Sequence, residues 1–168
     1  MACLVLVVGA TALAECPRAA AEIDRDLQLL VQALSHEGDA VLVTGGSVGP
    51  EVQAEMLAQT FGVRSVAYLR TGERRQGPRL GRWHEEALSG SHGVSLRDRS
   101  LIERAALAAR NGFDVEVIAY LDADAKPQSS SLQRLQLARS AELRCSVQWW
   151  RRSGGFYRRV RVEAAAAA

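Results

Sequence analysis

Apolar residues fall along the chain with two alternating periods. Residues 3–9 are a short run of Leu and β-branched side chains closed by Gly9, the pattern of a buried strand. Between 19 and 34, apolar residues at Ile23, Leu27, Leu30, Val31 and Leu34 make one core-facing helical stripe, stopped near Gly38. A second strand at 41–43 ends in Thr44-Gly45-Gly46, and a helix over 51–61 presents Val52, Met56, Leu57 and Phe61 before Gly62. A third strand is expected at 63–69. Residues 70–94 then lose all periodicity, which in a compact domain marks a functional or mobile loop, with one short helix expected over 83–88. The pattern resumes as a helix over 100–110 and a continuous apolar strand at 115–121. A helix from Ser129 or Ser130 to about 141 and a strand at 143–149 follow. Strands alternating with helices at this spacing imply a parallel sheet built by right-handed crossovers. The expected fold is α/β, a Rossmann-like three-layer fold with a parallel sheet of about five strands. Beyond it, Gly154-Gly155 sits between two short runs as a hairpin turn.

Composition adds limits. The 168 residues suffice for one domain, and 48% apolar with 24% charged is ordinary for a globular chain. The net charge of +2 is small, but the positive residues are almost all arginine, gathered at 70–82, 97–104 and 151–161. Planar arginine forks suit bidentate phosphate contacts, although a charge run is commonly a solvated face. The three cysteines lack metal-ligand spacing, so neither a disulfide framework nor a metal site is expected, and a reducing, cytoplasmic setting is. The apolar start lacks a preceding basic residue, arguing against a leader peptide, and no run is long enough to span a membrane.

In an open parallel sheet, ligands collect at the carboxyl ends of strands. Three loops there carry suggestive chemistry. Gly45, Gly46, Ser47 and Gly49 precede a helix opened by Pro50 and Glu51, where the backbone can approach a phosphate closely. Arg97 and Arg99 flank the start of another helix around Asp98 and can clamp an anion. Ser129, Ser130 and Ser131 place three hydroxyls at a third helix N-terminus, after a strand ending at Asp122. Each loop also has a plainer reading as a tight turn, an exposed basic terminus or simple capping.

In this order the three loops resemble the SLOG superfamily, which includes the Lonely Guy phosphoribohydrolases and the DNA-processing protein A family. Gly45, Gly46, Gly49, Glu51 and Ala54 are similar to its G-G-x-x-G turn and the helix that follows. Arg97-Asp98-Arg99 with Leu101 and Ile102 resembles its second signature. The third loop departs from the pattern: Ala125-Lys126-Pro127-Gln128-Ser129-Ser130-Ser131 has neither the glycine pair nor the glutamate of the Lonely Guy enzymes. The resemblance therefore implies a nucleotide or other phosphate-bearing ligand held without that catalytic set, in a sensing or regulatory role. It also implies pairing of exposed helices into a homodimer. Residues 1–150 form the SLOG-type domain on this reading, and 151–168 a basic, aromatic extension with an alanine tail.

Two alternatives remain. In a nucleotide N-glycosidic hydrolase, Glu51, Asp122 or His92 would be the acid–base candidates, His92 from a loop folded over the site. In a DNA-binding protein, Trp149, Trp150, Phe156 and Tyr157 with their neighbouring arginines would contact single-stranded nucleic acid. His84, Glu85 and Glu86 are adjacent on a helix and so point apart, as on a polar face. No cofactor is expected.

Overall fold

The computed structural model describes residues 2–70, 84–86 and 96–161. At its centre lies β1, Cys3–Gly9, in which Val5, Leu6, Val7 and Val8 are all buried. Val5 and Val7 pack on one face of the sheet, Leu6 and Val8 on the other. Burial on both faces is why this strand reads as an unbroken apolar run.

Two helices cover the first face. A short 3₁₀ turn, Thr11–Glu15, leads into α1, Pro17–Ser35, which buries Ala19, Ile23, Leu27, Val31 and Leu34 as one stripe. After β2, Ala40–Thr44, α2, Pro50–Thr60, adds Ala54 and Ala58 to the same core. Next come β3, Arg64–Arg70, and the short β4, His84–Glu86. The second face is covered by α3, Leu96–Arg110, through Leu101, Ile102 and Ala105. It is completed, after β5, Asp114–Asp122, by α4, Ser130–Ser140, through Leu135 and Ala138. A hairpin ends the fold: β6, Arg144–Ser153, and β7, Phe156–Val160, turn at Gly154 and Gly155. Both glycines have positive φ (58° and 83°), as a two-residue turn between twisted strands demands.

The sheet order is β4-β3-β2-β1-β5-β6-β7. Every neighbouring pair is parallel except β6–β7. The expected α/β, Rossmann-like architecture is what the chain adopts, with four differences of detail. The described part of the segment expected as a helix over 83–88 is strand β4, because pairing with the open edge of β3 satisfies backbone groups that so short a helix would leave unbonded. α3 starts at Leu96 instead of residue 100, which puts Arg97 and Asp98 inside its first turn. The sheet has seven strands where about five were expected, since β4 and β7 extend its two edges. Finally, β6 continues past residue 150 and β7 lies antiparallel to it, so the hairpin is part of the sheet. Among the described residues, no helix is long and apolar enough to cross a membrane.

β1 is flanked by β2 on one side and β5 on the other, and the direction of winding reverses between them. The carboxyl ends of β1 and β5 therefore diverge into α1 on one face and α4 on the other, opening a crevice at the topological switch point.

The start of α2 is pressed against the end of β1. A Cβ on Gly9 would stand 2.7 Å from Pro50 Cβ and 2.8 Å from its Cγ, in a ring that cannot swing aside. Gly9→Ala is expected to cost about 1–3 kcal/mol of stability through overpacking. The check is a lower urea midpoint with an unchanged m-value.

Candidate functional site

Glu51 lies in the first turn of α2 and is completely buried. Its Oε1 accepts from the Gly9 N–H at 3.1 Å, and its Oε2 from the N–H groups of Gly45 (2.9 Å) and Ser47 (3.0 Å). The charge is answered by Arg134 of α4, whose Nη1 donates to Oε1 at 2.6 Å. Arg134 is itself 1% exposed and reaches Asp98 with Nε at 3.0 Å. Asp98 accepts from Ser130 Oγ at 2.9 Å and lies 3.3 Å from Arg97 Nε. Arg97 closes the circuit by donating from Nη1 to the Gly45 carbonyl at 3.2 Å. The carboxyl ends of β1 and β2 and the first turns of α2, α3 and α4 are thus joined through one buried network.

Local geometry explains the glycines. Gly49, the residue before α2, has φ +100°, a region that side chains avoid. A Cβ on Gly45 would lie 2.7 Å from Arg134 Nη1 and 3.0 Å from Glu51 Oε2, so a larger residue would collide with the ion pair itself. The Gly46 N–H donates to Thr44 Oγ1 at 3.2 Å, and the Thr44 hydroxyl donates in turn to buried Glu55. The amides of Gly45, Gly46 and Ser47 are consequently all engaged within the protein.

Beside the network, at the switch point, is a cleft of about 270 Å³. The β1 exit (Gly9 to Ala12), Ser47, Asp122, the three serines at 129–131 and Arg134 line it. Ser129 precedes α4 in extended conformation, yet its hydroxyl caps nothing. That oxygen is buried without a hydrogen-bond partner among the described residues. The first N–H groups of a helix have no intrahelical acceptor, so the start of α4 offers donors of its own. Asp122, also in the lining, accepts at Oδ1 from the Asp124 N–H at 2.9 Å and at Oδ2 from the Tyr157 hydroxyl at 2.8 Å. Burial, then the hydrogen bond and charge of Asp122, push the Tyr157 phenol up to about 12.

The structure brings together Gly45, Ser47, Glu51, Arg97 and Ser130 in the network, and Ser47, Asp122, Ser129, Ser130 and Ser131 around the cleft. Arg99 is exposed, two residues beyond buried Arg97. His92 lies outside the described residues. Arg134, Asp98 as an ion-pair partner, and Gly9 as a donor were not among the expected site residues. Arg134 had left a signal: Ser131, Arg134, Leu135 and Ala138 share one helical stripe, and an arginine on a buried stripe needs a carboxylate partner. Among the described residues, no cluster of three or more His, Cys, Asp or Glu could hold a metal ion.

No family model and no curated protein sequence matches the chain. Solved structures do. The X-ray structure of the structural-genomics target TM1055 aligns with a TM-score of 0.61 at 17% identity, over 85% of this chain and 72% of the other. That of DNA processing protein A (DprA) from Streptococcus pneumoniae aligns at 0.56 and 19% identity, over 87% of this chain and 50% of the other. This chain spans only half the length of that protein. The molybdenum cofactor carrier protein from Chlamydomonas reinhardtii aligns at 0.46 and 15% identity, over 88% and 89% of the two chains. What is shared with the first two is the fold, a Rossmann-like α/β sheet.

Two outcomes test this geometry. Arg134→Met leaves the Glu51 charge buried without its cation and should cost about 3–5 kcal/mol in urea unfolding. Combining it with Glu51→Gln should cost less than the sum of the single changes, because the two groups are coupled. The second concerns alkaline pH. Tyr157 binds its proton more tightly folded than unfolded, where tyrosine ionises near 10. Its contribution is whole below pH 10 and is lost as pH climbs toward 12. Tyr157→Phe should therefore show a shallower fall of the urea midpoint across that interval.

Proposed function

We propose that this protein binds a nucleotide or a related phosphate-bearing small molecule in the cleft between the ends of β1 and β5, as a sensing or regulatory module on a SLOG-type Rossmann-like fold. The observation that carries this reading is the buried, unbonded hydroxyl of Ser129 at the start of α4, in a residue that lines a cleft at the switch point. The amides of the glycine turn are engaged by Glu51 and Thr44, so the turn serves as a wall and Ser47 as its contribution to the lining. On this reading the phosphate sits at the N-terminus of α4, where unpaired N–H groups, the helix dipole and the hydroxyls of Ser129 and Ser131 supply donors, the Ser130 proton being already given to Asp98. The cleft volume lies just below the usual range for small-molecule sites, roughly 300–1,000 Å³, which suits a phosphate and its sugar better than a whole dinucleotide.

Binding is favoured over hydrolysis because the carboxylates at this edge are already committed. Glu51 is saturated by three amides and Arg134, and both Asp122 oxygens accept hydrogen bonds. Neither is placed as a free base for attack on a glycosidic bond.

The test is a thermal-shift screen with nucleoside mono-, di- and triphosphates, sugar phosphates and dinucleotides. A ligand at ~100 times its dissociation constant should add about 2.7 kcal/mol, a clear upward shift. Ser129→Ala should then weaken binding roughly 10- to 100-fold, as expected for one hydrogen bond to a charged group. The reading fails if no phosphate compound moves the transition, or if the serine change leaves affinity intact. Release of free base from a nucleoside monophosphate would install the hydrolase in its place.

A further inference from the structure

The charge of this protein is unevenly distributed, and the terminal hairpin holds the excess. Residues 139–161 contain seven arginines and a single carboxylate, Glu142, in a chain with 21 basic and 19 acidic residues overall. The rest of the chain is therefore net negative. Some of these arginines are answered: Arg144 by Asp114 and Glu116, Arg151 by Asp124, Arg159 by Asp26. Arg139, Arg158 and Arg161 form no ion pair among the described residues.

The strand register sorts the hairpin into two faces. Trp150 and Tyr157 belong to the core beneath α1. Trp149 pairs with Val160, Arg151 with Arg158 and Ser153 with Phe156, so these residues share the α4 side of the sheet. Between α4 and the hairpin runs a groove of about 760 Å³, lined by Arg139, Trp149, Val160 and Arg161 among others. Trp149 is half-buried in it, while Arg158 and Phe156 lie on the same sheet face outside its lining, Phe156 at the hairpin tip being 59% exposed. β7 is the edge strand, with nothing beyond it among the described residues.

We infer that this groove, together with the hairpin-tip face that carries Arg158 and Phe156, is a track for single-stranded nucleic acid, separate from the phosphate cleft. Exposed cations along a groove attract a phosphodiester backbone, and planar rings set between them offer stacking platforms to unpaired bases. Duplex is disfavoured because its bases are already stacked and cannot reach the rings. A lipid surface is disfavoured because Phe156 is the only exposed large apolar side chain on the hairpin, too little for insertion. A second copy of this chain would set one arginine-rich edge against another.

The experiment is an anisotropy titration of labelled oligothymidylate and oligouridylate with the intact protein, repeated across salt concentrations. Affinity should fall linearly on a log–log plot. Arg158→Glu with Arg161→Glu should weaken binding at least ten-fold at low salt, with a slope shallower by about one unit per arginine removed. Phe156→Ala should weaken oligonucleotide binding about five-fold or more while leaving heparin binding unchanged, which separates stacking from attraction to any polyanion. All three positions are at the surface, and equal urea midpoints will show that the variants fold. The inference is overturned if neither oligonucleotide binds at low salt, if Phe156→Ala has no effect, or if duplex or anionic vesicles bind more tightly. Cleft ligands should shift the melting of Phe156→Ala as they do the parent, so the two sites fail or succeed independently.

Discussion

One buried carboxylate organises the carboxyl edge of the sheet in this protein. Glu51 collects amide donors from the end of β1 and from two positions of the turn after β2, and is neutralised by an arginine that arrives 83 residues later from α4. Removing such a pair from water costs several kcal/mol per ion, and only a full set of partners returns it. Here the set is full: three amides and a guanidinium on Glu51, then Asp98, Ser130, Ser47 and Glu51 around Arg134. The geometry of the turn, the approach of α2 to β1 and the seat of α4 all depend on this one ion.

The consequence for ligand binding follows directly. A glycine turn at the end of a strand would ordinarily offer its amides to an external anion, but here an internal anion takes them. What an incoming phosphate would find is the start of α4, already anchored by Arg134 and Ser130 on its inner side. The network and the cleft share Ser47, Ser130 and Arg134, so the proposed site is pre-formed by the same contacts that hold the fold. Pre-formed donors give up little entropy on binding.

The hairpin is tied to this edge as well as to the sheet. Tyr157 reaches Asp122, Arg151 reaches Asp124, and the Ala123 N–H donates to the Trp150 carbonyl at 2.7 Å. The loop that lines the cleft is therefore braced by the strands that carry the arginine excess.

Much of the architecture was legible in the order of residues, for local reasons. The stripe of α1, the unbroken apolar run of β1, the largely apolar run of β5 and the two-glycine turn at 154–155 are each dictated by period, burial or φ within a few residues. The three loops at the sheet edge were likewise marked by glycines, arginines and serines beside one another in the chain. What local pattern could not decide was which donor serves which acceptor. Glu51 looked like a helix-opening acid or a catalytic candidate, and Arg134 like one arginine among many. Only winding the sheet brought α2 and α4 to opposite sides of β1 and set those two charges in contact. Likewise β4 is a strand only because β3 has an open edge beside it. Sequence alone determined the elements and the kind of chemistry at their ends. Tertiary structure decided the pairing, because a buried charge is satisfied by whichever partner the topology delivers, however far away it lies along the chain.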